Sequence, residues 1–468
     1  EAKKYFKEAG IETVIKGISS TNDIQDTAKS LMSQTQVIFI PTDNTIVSAI
    51  NTLVDLSKET KVPVVGSDAG SVEKGVLFTY GTNYEALGRQ TGKLAGRVLR
   101  GEKVKDVDAE YPKTLNVVVN HDMAKELGID VSSISDEESK ASTQDDKPIA
   151  KKDKGVIKLK VNKSSKKGFS NVVLTAISQG LLWAIMAIGV FITFRILDLA
   201  DLTAEGAFPL GAATTTIMII RGINPIFATL GGFVAGMLAG AVSGFMHTKM
   251  KIPALLTGII TLTGLYSVNL LVLGSANVSL SGHNTLVTMV MDLGLSKLNG
   301  VILLGLIFVS LVVLMLVVLL NTQVGLALRA TGDNLAMGEA NGIKVDRMKI
   351  LGYMISNGLI ALSGALLAQN NGYADMNMGT GTIVNGLAAI ILAEVIVKYL
   401  PLGKRLWSIV VGAVLYRLVL VIILAMNVDA QMLKLASAIL LAIILYVPEV
   451  RQKLKIRPNK SLTPGGDK

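Results

Sequence analysis

From about Asn171 onward the chain is a succession of long apolar runs, near residues 173–195, 204–221, 225–247, 252–274, 300–320, 348–369, 383–399, 406–427 and 431–448. About 20 apolar helical residues cross the hydrocarbon core of a bilayer. Only structures that satisfy every backbone polar group internally can stand there, so these runs predict a bundle of about nine transmembrane helices over 171–450. With 468 residues, 50% of them hydrophobic, and a mean hydropathy of +0.50, an ordinary soluble enzyme is excluded. The second run is short and follows the charged stretch LDLADLTAEG, which predicts a broken or re-entrant helix.

The stretch GGFVAGMLAGAVSGF (Gly231–Phe245) places Gly232, Gly236, Gly240 and Gly244 along one stripe. Glycine costs roughly 1 kcal/mol in a helix interior relative to alanine. Lipid supplies little drive for helices to associate, and small residues let backbones approach. The stripe is therefore either a tight packing face or a moving, pore-lining one.

Residues 1–132 are polar and alternate strand and helix patterns. ETVIKGIS, TQVIFIP, VPVVGSD and VLFTYGT read as strands, and TNDIQDTAKSLM, TIVSAINTLVDLSKET and YEALGRQTGKLAGRVLRG as helices, the first capped by Thr21 or Asn22. The fold class is thus an α/β doubly wound lobe followed by an all-α polytopic membrane domain. Ligands bind beyond the carboxyl ends of such strands, here at PTDNT (Pro41–Thr45) and GSDAG (Gly66–Gly70). Asp43 or Asn44 would equally serve there as a helix cap. Residues 133–170 form a polar linker rich in lysine, and 451–468 a basic tail.

Orientation follows from basic residues in short loops. Arg329, Lys344 and Arg347, then Lys398, Lys404 and Arg405, then Arg451, Lys453, Lys455 and Arg457 mark one side as cytoplasmic. Counting back puts residues 1–170 outside. The lysines between Lys151 and Lys167 argue the opposite way, and parity with the three concordant loops outweighs them.

The chain has no cysteine, which excludes disulfides, thiolate chemistry and a lipid-anchored cysteine on it. His121, His247 and His283 lie far apart and have no metal spacing. The net charge of +10 sits in the linker and loops, so membrane topology rather than nucleic acid accounts for it. The opening EAKKYFKEAG reads as the middle of a soluble helix, not a signal peptide. A P-loop needs G-x-x-x-x-G-K-[ST]; LGRQTGKL (Leu87–Leu94) has leucine at both ends, so no cofactor is expected on this chain, and ATP and Mg belong to another.

Three ionisable residues lie in or beside apolar runs: Glu205, Glu394 and Arg417. Such charges tend to be buried and paired. A Glu394–Arg417 pair between adjacent helices is one expectation; snorkelling to the inner face is the other. Trp407 beside Lys404 and Arg405 reads as an interfacial anchor.

The polar insertion LALRATGDNLAMGEANGIKVDRMK (Leu326–Lys349) carries a short helical pattern that Asp333 or Asn334 would cap and Gly342 would end. With ILGYMISNGLIALSGALLA after it, it resembles the permeases of ABC importers for branched-chain amino acids and ribose-type sugars. In these a polar loop of this pattern fits a cleft on an ATPase. Arg329, Gly332, Asp333, Asn334, Met337 and Gly342 fall in that loop. The resemblance covers about 172–450 and implies a permease homodimer with a cytoplasmic ATPase dimer in a bacterial plasma membrane. Residues 1–132 resemble the second lobe of the substrate-binding proteins of the tryptophan-type branch, type I periplasmic binding proteins that clamp aromatic amino acids between two lobes. This second resemblance implies Thr42, Asp43, Asn44, Asp68 and Tyr84 as substrate contacts. Importers of branched-chain amino acids, sugars or nucleosides remain open on the residues alone, as does an ion-coupled secondary transporter. That last class shows inverted repeats, of which none is found here. Nine spans are excessive for a membrane-anchored receptor, and no nucleophile–base constellation supports an enzyme.

Overall fold

The computed structural model describes residues 6–18, 24–82, 84–103, 107, 110, 112, 114–131, 138–140, 168–280, 282–397, 400–425, 435, 437–443 and 446. They divide into an N-terminal α/β unit and a helical unit.

In the N-terminal unit, α1 (Ile24–Met32), β1 (Ile38–Ile40), α2 (Asn44–Ser48), α3 (Ile50–Thr60), β2 (Val64–Gly66), α4 (Ala69–Glu73), β3 (Phe78–Thr82), α5 (Tyr84–Leu99), β4 (Thr114–Val119), α6 (His121–Leu127) and β5 (Glu138–Lys140) follow in order. The sheet order is β1-β2-β3-β4-β5. β1, β2 and β3 are parallel, with Ile38 opposite Val64 and Gly66 opposite Thr79. β4 and β5 add on antiparallel, so the sheet is mixed rather than wholly parallel. Ile38, Ile40, Leu53, Val64, Val76 and Met123 close its core. The expected strand in ETVIKGIS does not form over residues 12–18, where Val14 and Ile15 stand exposed. β-branched residues make a strand only against a neighbouring strand and a surface to pack on. The expected cap of α1 at Thr21 or Asn22 lies outside the described residues. Leu87–Leu94 lies within α5, a helix rather than a phosphate loop.

The helical unit opens with α7 (Gly168–Phe191), which passes into a π turn at Ile192–Ile196. Next come α8 (Ala204–Ile220), α9 (Pro225–Thr248), α10 (Ala254–Leu273), α11 (Leu286–Met291), α12 (Lys297–Asn321), α13 (Gln323–Asp333), α14 (Leu335–Ala340), α15 (Val345–Asn371), α16 (Thr382–Ile396) and α17 (Leu402–Ala425). Among the described residues seven helical segments are long and apolar enough to cross a membrane, and α8 is a shorter apolar helix. These account for eight of the sequence segments. Half of the ninth, 431–448, lies outside the described residues, with 437–443 helical. α8 is short because residues 198–201 run ahead of it as non-helical chain, with Asp198 at φ +55°.

The glycine stripe packs α9 on α8 and α15. A Cβ on Gly232 would overlap Thr215 Oγ1, and one on Gly236 the carbonyl of Asn357. At Gly240 it would overlap the carbonyl oxygen of Tyr353 and come 3.0 Å from Met354 Cα; at Gly244 it would lie 2.8 Å from Ile350 Cα. α15 answers in kind at Gly358, where a Cβ would stand 2.7 Å from Met237 Cγ. The stripe is thus a backbone-to-backbone packing face, buried at all four glycines.

Candidate functional site

The polar insertion folds as two short helices at a fixed corner. Thr322 caps α13, its Oγ1 accepting from Gly325 N at 3.3 Å. A side chain on Gly325 would overlap the Leu319 carbonyl, which holds the corner tight. Arg329 does not project: its Nη2 donates to the Leu320 carbonyl at 3.1 Å. Asn334, not Asp333, caps α14, with Oδ1 accepting from Met337 N at 3.0 Å. Gly342, at φ +80°, ends it, with its N–H donating to Glu339 O at 2.9 Å. Gly332 is a packing residue, since a Cβ there would overlap the Ile196 carbonyl at the π turn. Four large apolar side chains nevertheless face outward: Leu335 is 46% and Met337 60% exposed, and Leu326 and Val324 are exposed beside them, among exposed Asp333, Asn334, Glu339 and Asn341. Buried Leu328 and Val345 anchor the pair, which presents Leu335 and Met337 from a polar surround.

In the N-terminal unit, parallel pairing brings the carboxyl ends of β1 and β2 together, as the sequence predicts. Thr42 Oγ1 and Ser67 Oγ are 2.8 Å apart across that edge. Asp43 Oδ1 accepts from Thr45 N at 2.8 Å and Ile46 N at 3.1 Å, capping α2. Asp68 caps α4 through Ser71 N at 2.9 Å. Both carboxylates therefore serve as caps, whatever else they contact. Asn44 begins α2, and its side chain lies outside the described residues. Tyr84 begins α5 and is 59% exposed.

The expected Glu394–Arg417 pair does not form. Glu394 Oε2 meets Arg195 Nη2 at 2.5 Å and Oε1 meets Arg405 Nη2 at 2.9 Å. Arg417 is buried with its guanidinium 4.7 Å from the Trp183 ring centre, a cation–π contact, and Trp183 in turn stacks on Phe208. Two nearer arginines and an aromatic face thus divide what the sequence suggested as one pair. Glu205 accepts from the Gly381 N–H at 3.1 Å, placing its charge by the start of α16.

Sequence reasoning passed over Asp201. It is 4% exposed, accepting from Thr203 N at 2.9 Å and from Asn357 Nδ2 at 2.8 Å. Beside it Thr203, Ser243 and Thr261 form a buried hydroxyl chain with spacings of 2.8 and 2.9 Å. The available signal was an acid in LDLAD between two apolar runs. Among the described residues no group of three His, Asp or Glu side chains is placed to hold a metal ion.

Comparison with known proteins agrees with this architecture. Residues 172–448 match the family described as branched-chain amino acid transport system / permease component, and residues 1–141 the family of ABC transporter substrate binding proteins. The chain is 37% identical over 295 residues to a tyrosine transport system permease protein of Clostridioides difficile, covering 62% of this chain and 96% of that one. It is 36% identical over 123 residues to a tyrosine-binding protein of the same organism, covering 26% of this chain but only 36% of that one. A solved structure of an ABC domain in complex with L-Trp from Streptococcus pneumonia is 34% identical, with a TM-score of 0.26, over 28% of this chain and 46% of that one. The N-terminal part thus spans between about a third and just under half of the binding proteins it matches, whereas the helical part spans nearly a whole permease. The chain belongs to the permease component family of branched-chain amino acid transport systems, a multi-pass, non-enzymatic translocation subunit carrying a substrate-binding-protein-like segment ahead of it.

Proposed function

We propose that this protein is the translocation subunit of an ATP-driven importer for an aromatic amino acid, powered by a separate ATPase chain. The observation that carries the reading is α13–α14. A membrane subunit gains nothing in stability by exposing Leu335 and Met337 on a braced projection; such a surface suits a cleft on a partner. The names of the two tyrosine-system relatives support an aromatic substrate. The proposed assembly is two copies of this chain with two ATPases, the N-terminal unit outside and α13–α14 in the cytoplasm, as the basic loops argue. Tryptophan, phenylalanine and tyrosine are the candidate cargoes, and Thr42, Asp43, Asn44, Asp68 and Tyr84 the candidate contacts.

The test is co-purification of the full chain with candidate ABC ATPases, followed by ATP-dependent uptake of the three aromatic amino acids in proteoliposomes. Met337→Glu places a charge on an exposed apolar position without touching a buried group. It is expected to weaken ATPase capture by about 30-fold or more, as loss of a central interface residue does. Its unfolding midpoint should stay at the wild-type value. Equal capture by wild type and Met337→Glu removes α13–α14 from the interface. Uptake that follows an ion gradient and ignores ATP overturns the importer reading.

A further inference from the structure

Glu394 stands near the end of α16, and its two carboxylate oxygens are shared between arginines of two different elements. Arg195 belongs to the π turn that ends α7; Arg405 belongs to the first turn of α17. Each guanidinium also lies over an aromatic ring of the first segment, Arg195 at 5.1 Å from the Phe194 centre and Arg405 at 5.0 Å from the Phe191 centre. The π turn itself is a departure from helical repeat, with Leu197 N donating to Ile192 O at 3.0 Å across five residues. Such turns cluster at functional positions because they set a side chain out of register with its helix.

The same π turn is the seat of α13. The backbone at Gly332 approaches so closely that a Cβ would overlap the Ile196 carbonyl and come 3.0 Å from Leu197 Cα. Leu197 in turn fills the space that a side chain on Gly352 would need, and a Cβ there would lie 3.4 Å from Leu328 of α13. One turn of chain therefore touches α13 and α15 with its backbone and Leu197, and α16 and α17 through Arg195 and Glu394.

We propose that Glu394 is a positioning residue for energy coupling, tying the π turn on which α13 rests to α16 and α17, so that displacement of α13–α14 reaches those two helices. The proposal rests on the reading of α13–α14 as the ATPase docking element. It does not make Glu394 a pillar of the fold. The side chains are 27% exposed for Glu394, 40% for Arg195 and 41% for Arg405, and ion pairs so exposed contribute about 0–1 kcal/mol. The bridge is weak as a staple but specific as a linkage, because no other carboxylate oxygen binds either arginine among the described ion pairs.

The experiment uses the full chain with its ATPase in proteoliposomes and L-tyrosine, L-tryptophan and L-phenylalanine as probes. ATP hydrolysis and uptake are measured in the same vesicles. Glu394→Gln is expected to keep ATPase capture, the unfolding midpoint and hydrolysis within about twofold, while uptake per ATP falls at least about fivefold, the lower end of ordinary coupling energies. The chain has no cysteine, so Arg195→Cys with Glu394→Cys can be bridged by a short bismaleimide. Bridging should restore uptake per ATP, and neither single cysteine variant should respond. A merely structural role would move the unfolding midpoint and be indifferent to the bridge. A wild-type uptake ratio in Glu394→Gln, or a bridged pair that stays uncoupled, overturns the proposal. A wild type that captures no ATPase, or takes up no probe with ATP, overturns the underlying importer reading and the proposal with it.

Discussion

Adding a single methyl group at Gly240 is expected to destabilise the helical unit by about 3 kcal/mol, the upper range for overpacking a filled interior. The new Cβ would overlap the Tyr353 carbonyl oxygen and crowd its carbon at 2.7 Å. Those are backbone atoms of α15, so they yield only if one helix moves bodily away from the other. Such a shift would also disturb Gly236 and Gly244, which approach the same helix. Gly264→Ala on α10 is the matched control, since nothing lies within 4 Å of its added Cβ. There alanine should be neutral or stabilising by up to about 1 kcal/mol, the propensity difference in a helix. Unfolding midpoints of the two purified variants, followed by tryptophan fluorescence in one detergent, check this. Equal midpoints would mean that α9 and α15 are not held at backbone contact.

This interface shows where the sequence was legible. Glycines four apart inside an apolar run admit few physical explanations in lipid, and close packing was one of the two identified. The membrane spans were legible for the same reason: length and hydropathy act locally. A cap at Asp333 or Asn334 and the stop at Gly342 were legible because capping chemistry is local too, and the structure chose Asn334. What failed was pairing over distance. Glu394 and Arg417 lie on neighbouring helices, yet the carboxylate found Arg195, which is 199 positions away in the chain, and Arg405. No sequence pattern ranks those partners, because the ranking depends on a π turn that has no clear composition of its own. β4 and β5 were not read as strands at all, β5 falling in the expected linker, and their antiparallel direction depends on the connection and not on the strand. In the N-terminal unit Asp43 and Asp68 were found as site candidates, and the structure gives each a capping duty that any binding role must share.

Asp201 is the site where the second large effect is expected. Its carboxylate accepts from a backbone N–H and from the Asn357 amide in a fully enclosed setting. Asn357→Asp would set two carboxylates within hydrogen-bond distance of each other. One must then take up a proton or both must separate, at a cost on the order of 3 kcal/mol or more for a buried charge whose partner is lost. Asp201→Asn alone turns a donor toward a donor, at a cost of about 1–3 kcal/mol for an unsatisfied buried group. The exchanged pair, Asp201→Asn with Asn357→Asp, restores one donor facing one acceptor. It should recover more than half of the summed loss, because the two residues are in direct contact and so must couple. Full recovery is not expected: Asn357 Nδ2 also donates to the Tyr353 carbonyl at 3.0 Å, and the exchange removes that bond. Unfolding midpoints of the four proteins complete the cycle. Additive losses would show that Asp201 and Asn357 act independently. Coupled losses would establish that this buried acid is what ties the break before α8 to the middle of α15.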